Sequence, residues 1–226
     1  MKKMIFSLPI MALFLVGCKS NIAPSTSETS KNDIKQTSDT PATSSNAGSS
    51  NLTSSNQSSS DSTVTLSNAI VVYFSATNHT KAVADEISSY YSIPEYVLEP
   101  VNPYTSADLN WSNQNSRVVR EHNDSSRHVE LTNVNFAGFD DAKYIFLGAP
   151  VWWQELSWVV DDYLKLNDFS GKTIIPFATS SSSGYSTTRH EAMTSGAVWM
   201  NGQRFSSNVS TTAVDNWLKG LNINVG

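Results

Sequence analysis

Apolar residues fall along this chain in two alternating registers. Ala69-Ile70-Val71-Val72-Tyr73-Phe74 is an unbroken apolar and aromatic run rich in β-branched residues, the pattern of a strand covered on both faces. The spacing then turns helical, with Val83, Ile87 and Tyr90 at i, i+4 and i+7 and with Asp85 and Glu86 turned to water. Tyr96-Val97-Leu98-Glu99 predicts a short strand, Tyr144-Ile145-Phe146-Leu147-Gly148-Ala149 a second buried one, and Lys172 to Ala178 another. Pro176 cannot donate to a ladder, so it is expected where a strand ends or bulges. Leu156, Val159, Val160, Tyr163 and Leu164 predict a half-buried helix ending before Gly171. Ala197-Val198-Trp199-Met200 predicts a fifth strand, followed by a tight turn at Asn201-Gly202. Ser210 is placed to cap a last helix with Val214, Trp217, Leu218 and Leu221 on one face. Strand-helix alternation with right-handed crossovers implies an α/β domain on a five-stranded, doubly wound parallel sheet with helices on both faces.

The first third of the chain reads differently. Lys2 and Lys3 precede an apolar stretch from Met4 to Val16, too short for a permanent membrane span but suited to the core of a secretory signal. Leu15-Val16-Gly17-Cys18 resembles the lipobox of bacterial lipoprotein precursors, which implies a signal peptide at 1–17 and a lipid on Cys18 as the mature N-terminus. Two or more acyl chains anchor stably where one binds only marginally, so the expected location is extracytoplasmic, on the cell membrane. Residues 18–66 are dominated by Ser, Thr and Asn with almost no aliphatic side chains, which implies a tether that buries too little to fold. The domain is then 67–226, a comfortable size for one core. Cys18 is the only cysteine, so an internal disulfide, a thiol relay and a Cys-ligated cluster are excluded, and redox chemistry requires a cofactor. A net charge of −5 leaves no polybasic footprint for nucleic acid.

Candidate chemistry gathers where the strands end. After Phe74 the chain becomes Ser75-Ala76-Thr77-Asn78-His79-Thr80, offering hydroxyls and the unpaired N–H groups of a helix start to an anion. This loop resembles the phosphate loop of the flavodoxin family, Ser/Thr-x-Thr-Gly-x-Thr, which wraps the phosphate of flavin mononucleotide (FMN). Asn78 stands where the family usually has Gly, and Asn tolerates a left-handed backbone. Gly148-Ala149-Pro150-Val151-Trp152-Trp153-Gln154 is similar to the Gly-x-Pro-x-Trp-Trp stretch of a flavodoxin-like subfamily, where the loop borders the isoalloxazine. Of two adjacent Trp side chains one can enter the core while the other presents a flat face. Thr179-Ser180-Ser181-Ser182-Ser183-Gly184-Tyr185 resembles that subfamily's Thr-x-Gly-x-Gly loop with serines replacing most glycines, and its small residues let backbone approach a planar ligand. A block from Pro103 through Trp111 and on from Ser116 to Asp124 is also similar to these proteins, and its role stays open between rimming the flavin and making a subunit contact. The likeness runs, less strictly, from Ala69 to Leu221 and implies the strand order 2-1-3-4-5, with a crevice at the carboxyl ends of strands one, three and four.

The resemblance implies FMN as cofactor, with phosphate held by Ser75, Thr77, Asn78, His79 and Thr80. The ring would then be bordered by Pro150, Val151, Trp152, Trp153, Thr179, Ser180, Ser181, Ser182 and Gly184. A one-electron carrier and an NAD(P)H-dependent quinone reductase stand as alternatives, with catalytic residues unassigned and a redox protein or quinone as partner. A different class is a flavodoxin-like scaffold that has lost FMN and serves as a binding module, motivated by Asn78 and the serine loop. His122, Asp124 and His128 match no metal-ligand spacing and read as a charged surface.

Overall fold

The computed structural model describes residues 66–223; the signal, Cys18 and most of the tether lie outside the described residues. Its sheet is built on β1 (Ala69–Tyr73), β2 (Glu95–Val97), β3 (Tyr144–Trp152) and β5 (Thr173–Thr179), with a short β4 (Glu155–Leu156) and a fifth line split into β6 (Val198–Trp199) and β7 (Gln203–Phe205). The order is β2-β1-β3-β5-β6, with β4 paired to β3 and β7 paired to β5. All pairings are parallel except β3 with β4. Counted by lines of strand, this is the expected 2-1-3-4-5 arrangement with seven strand segments where the sequence reading had five.

Alternation along the strands divides the core between the two faces. Ile70, Val72, Ile145, Leu147, Ile174 and Ala178 face one cluster, completed by Val118 and Val119 of α2 (Arg117–Asn123), the 3-10 turn Trp158–Val160, and Tyr163 and Leu164 of α3 (Asp161–Leu166). Val71, Tyr73, Phe146, Ile175 and Phe177 face the other, covered by α1 (His79–Tyr91) and α5 (Thr211–Lys219) through Val83, Ile87, Tyr91, Val214 and Leu218. Each Val, Ile, Leu or Phe side chain so buried contributes about 1.5–3 kcal/mol, and β1 and β3 carry no charged residue. The inner stripe of α1 ends on Tyr91 rather than Tyr90, which is only partly buried.

Several local expectations are corrected. Leu156 does not open a helix: Val151 pairs with Leu156 and Trp152 with Glu155 in a two-residue hairpin, and helix begins only at Trp158. The periodicity was misleading because a buried hairpin residue followed by a turn lands in register with the helix after it. The short second strand covers Glu95–Val97 rather than Tyr96 to Glu99. Ser210 occupies the N-cap of α5, yet its side chain makes no capping bond.

Asn201-Gly202 is no chain reversal either, since β6 and β7 both run parallel to β5. Val198 N–H donates to Lys172 O and Met200 N–H to Ile174 O, so alternate residues of β5 face this line and Pro176, next in that register, brings no donor. The fifth line breaks opposite that gap. A Cβ on Gly202 would collide with Pro176 O and Tyr185 Oη, so only glycine lets the chain pass so close.

Candidate functional site

Three chain segments leave the carboxyl ends of β1, β3 and β5 and surround one cavity of about 800 Å³, within the range of small-molecule sites. Thr77, His79, Pro150, Val151, Trp152, Trp153, Thr179, Ser180, Ser181 and Ser182 line it, as the sequence anticipates. Half-buried Ser75 and buried Thr80 do not reach the lining, and Asn78 and Gly184 are exposed outside it. Ser183 of the anticipated serine loop lines it too, as do Leu109, Trp111 and Val118 of the block for which rimming the flavin was one of two alternatives, while Ala76 and Ser207 line it without having been anticipated. Among the described residues no Asp, Glu, Lys or Arg side chain reaches the lining.

At the first segment the turn into α1 is made by Asn78, whose φ of 64° puts it in the left-handed region that its amide side chain tolerates. No described acceptor receives the backbone N–H groups of residues 76–80, while Lys81 N–H is taken by Ser75 Oγ at 3.2 Å. Ser75 therefore shapes the loop from within, and the open amides carry the positive end of the helix dipole. Lys81 is turned away into a surface ion pair with Asp85. Thr80, 1 % exposed, bonds through its hydroxyl to that of Thr179 at 2.8 Å, tying the first segment to the third.

Beside them, Trp152 is half-buried in a cluster with Phe74, Tyr104 and Trp158, its ring centroid 5.7, 5.2 and 4.9 Å from theirs. Trp153 is exposed, stacked on His122 at 4.2 Å and 13°. The pair thus divides as expected, one ring inward and one outward. The turn between β3 and β4 places both Trp153 and Gln154 at positive φ, 48° and 65°, a conformation two-residue hairpins normally give to Asn-Gly. Burial, and then the nearby Arg127 guanidinium, hold the His122 imidazole below its usual pKa, so it stacks in the neutral form.

The block from Pro103 to Asp124, whose role the sequence left open, forms the wall opposite. Glu121 accepts from Tyr104 Oη at 2.5 Å, Arg117 Nε at 2.6 Å and Trp158 Nε1 at 2.8 Å, while the Arg117 guanidinium lies 3.9 Å over the Tyr104 ring. Burial and the Glu121 carboxylate both push the Tyr104 phenol well above its usual pKa, so it stays a donor. This knot holds α2 against the tryptophan cluster and presents Leu109, Val118 and Trp111, which is 76 % exposed at the mouth. A lone indole amid Asn110, Ser112 and Asn113 was the available signal for Trp111. His122, Asp124 and His128 do not converge: His122 stacks on Trp153, Asp124 accepts from Ser126, and His128 Nδ1 lies 3.2 Å from Asp162.

The third segment closes the cavity through Ser180 to Ser183. Ser180 N–H donates to Phe205 O of β7 and its hydroxyl to Ser183 O, leaving the N–H groups of residues 181–185 without a described acceptor. Open amides at both ends, an aromatic wall and no charged lining define a doubly wound α/β protein with a crevice suited to a phosphorylated planar molecule. The family model described as Flavodoxin matches residues 68–221, and the chain belongs to that family. Two solved structures are similar: a candidate flavoprotein from Bacteroides eggerthii, 29% identical with TM-score 0.63 over 70% of this chain and 99% of that one, and another from Bacteroides uniformis, 30% identical with TM-score 0.63 over 67% and 97%. A Lactobacillus acidophilus flavoprotein solved in complex with FMN is 18% identical, with TM-score 0.48 over 67% of this chain and 98% of that one. A comparison with curated proteins found no match.

Proposed function

We propose that this chain is an FMN-binding flavodoxin-like protein, anchored outside the cytoplasm through lipid on Cys18, that works in electron transfer or flavin-dependent oxidoreduction. The observation that carries the cofactor reading is the convergence on one uncharged cavity of two sets of open amides, at residues 76–80 and 181–185, with an aromatic wall between them. The residues present fit the group. The N–H groups at the start of α1 and Thr77 would hold a phosphate dianion, with His79 in the same lining, and no cationic side chain would be needed there. The open amides of residues 181–185 would donate to the ring's carbonyl oxygens, Trp152 and Trp153 would border it, and Leu109 and Val118 would exclude water.

Bound flavin supplies one- or two-electron transfer, and the protein tunes it through hydrogen bonds at the ring edges and the polarity of the walls. Of the two features that motivate a scaffold without cofactor, Asn78 for Gly keeps the left-handed turn, and the serine loop keeps the N–H groups of residues 181–185 open. The lipobox around Cys18 supports the anchor, and the Ser/Thr/Asn-rich segment after it supports a tether. Cys18→Ala should release the protein or leave it unprocessed; unaltered membrane retention contradicts the anchor. For the cofactor, the purified chain mixed with FMN should show bound flavin absorbance with quenched fluorescence, and unquenched free flavin contradicts the reading. NADPH consumption with a soluble quinone would make it a reductase, and reduction only by a protein partner would make it a carrier.

A further inference from the structure

The tryptophan hairpin holds two non-glycine residues in the left-handed region, and a turn so disfavoured persists only where its surroundings fix it. We infer that Arg189 is a positioning residue for this hairpin: its guanidinium locks the hairpin to the chain that follows the serine loop, so that Trp152 and Trp153 are set before a guest arrives. The consequence for FMN rests on the reading above, whereas the geometry does not.

The chain leaving the serine loop lies along the hairpin. Ser186 N–H donates to Gln154 O at 2.8 Å, and Ser186 forms a parallel bridge with Glu155. Arg189, in the short helix α4 (Thr188–Glu191), then closes the join: Nε donates to Glu155 Oε2 at 2.7 Å and Nη1 to Asp161 Oδ2 at 2.6 Å. One planar fork thus spans the hairpin's return strand and the first residue of α3, which an ammonium on a flexible stem cannot reproduce. Nη2 lies 3.0 Å from His190 Nε2, so the donor fixes that nitrogen as acceptor and the imidazole as neutral. His190 is fully buried, and burial with the neighbouring Arg189 and Arg127 guanidinia brings its pKa down to about 3, which keeps it an acceptor at ordinary pH. The clamp therefore joins two of the three segments around the cavity, and none of Arg189, Glu155, Asp161 and His190 lines it.

The stack of Trp153 on His122 supplies a reporter that needs no cofactor, because an imidazole lying on an indole face has ring protons displaced upfield. The test uses the full chain purified in detergent, as wild type, Arg189→Lys, Arg189→Met and Glu155→Gln, with proton spectra of His122 and titration with FMN. Both Arg189 variants should lose the upfield displacement and raise the FMN dissociation constant about tenfold or more, since preorganisation is lost, and Glu155→Gln should do the same to a smaller degree. Adding Gln154→Gly to Arg189→Met should restore both readouts, because glycine adopts the turn unaided. Unchanged His122 shifts in the Arg189 variants, or a Gln154→Gly addition that restores nothing, overturn the inference. Should Arg189→Met fail to fold, Arg189→Lys and Glu155→Gln decide by the same two readouts. If wild type binds no FMN, the cofactor reading fails while the His122 shifts still judge the clamp.

Discussion

At one end of the cavity the residues from Ser75 to Thr80 make their own turn, leave their own amides open and start their own helix. At the other end Trp152 and Trp153 are held by partners far away in sequence: Glu121 through Trp158 and Tyr104, His122 by stacking, and Arg189 across Glu155. The difference teaches which half of such a site can be altered locally. A strand-loop-helix carries its geometry with it, while an aromatic wall is only as well placed as the chain segments behind it.

The comparison breaks most visibly at the anion end. Thr77→Ala with Thr80→Ala should cost roughly 2–4 kcal/mol of FMN affinity, by loss of charge-assisted bonds at Thr77 and of the Thr80–Thr179 link behind them. Calorimetric titration would measure it, and an undiminished affinity would put the phosphate elsewhere. On the ring side the same severity needs a residue outside the cavity. Glu121→Leu orphans Tyr104 Oη, Trp158 Nε1 and Arg117 Nε together and should lower stability by about 2–3 kcal/mol in a urea titration, with loss of the aromatic near-ultraviolet signal. A normal denaturation midpoint would remove Glu121 from the account.

Acid should act on the ring side first. His190 is neutral in the folded state with a pKa of about 3 against 6.5 unfolded, so below 6.5 the unfolded chain binds the extra proton and stability falls as pH drops towards 3. The slope is at most about 1.4 kcal/mol per pH unit. Asp161 opposes it: burial raises its pKa despite Arg189, so its own protonation favours the folded state as pH falls. The geometry favours His190 in the balance: its ring is fully buried with the Arg189 guanidinium 3.0 Å from Nε2, nearer than the Asp161 carboxylate at 3.7 Å, while Asp161 keeps a charge-assisted bond. Urea midpoints measured from pH 7 to pH 4 should fall, and His190→Gln should flatten the fall; a flat wild-type profile would contradict this.

The smallest effects sharpen the contrast between the two left-handed sites. Gln154→Gly should stabilise the protein by about 1 kcal/mol, because an L side chain in that conformation carries roughly that cost. Asn78→Gly should change little, and Asn78→Val should destabilise by about 1–2 kcal/mol. Equal responses to glycine at 78 and 154 would erase the distinction in thermal melts.

This asymmetry also explains what could be read in advance. The apolar runs at 69–74 and 144–149 named the two central strands, and Ser75 to Thr80 named a turn whose one departure, Asn78, adopts the backbone its chemistry allows. Pro176 marked a discontinuity, although the break falls in the neighbouring line, since a missing donor is felt by the strand that would have accepted it. The hairpin at Trp153-Gln154 was hidden because nothing in that dipeptide advertises positive φ; tertiary contacts impose it. Trp111, Leu109 and Val118 belong to a block legible only as a rim or a subunit contact, because their place at the cavity depends on the Glu121 knot rather than on spacing.

The most direct measurement compares FMN with riboflavin on the same preparation. If amides at residues 76–80 hold a phosphate while the tryptophan wall holds the ring, FMN should bind with quenched fluorescence and at least about a hundredfold more tightly than riboflavin, since two charge-assisted bonds account for that factor. Equal affinity for the two compounds, or binding of neither, would contradict a cavity built for a phosphorylated flavin.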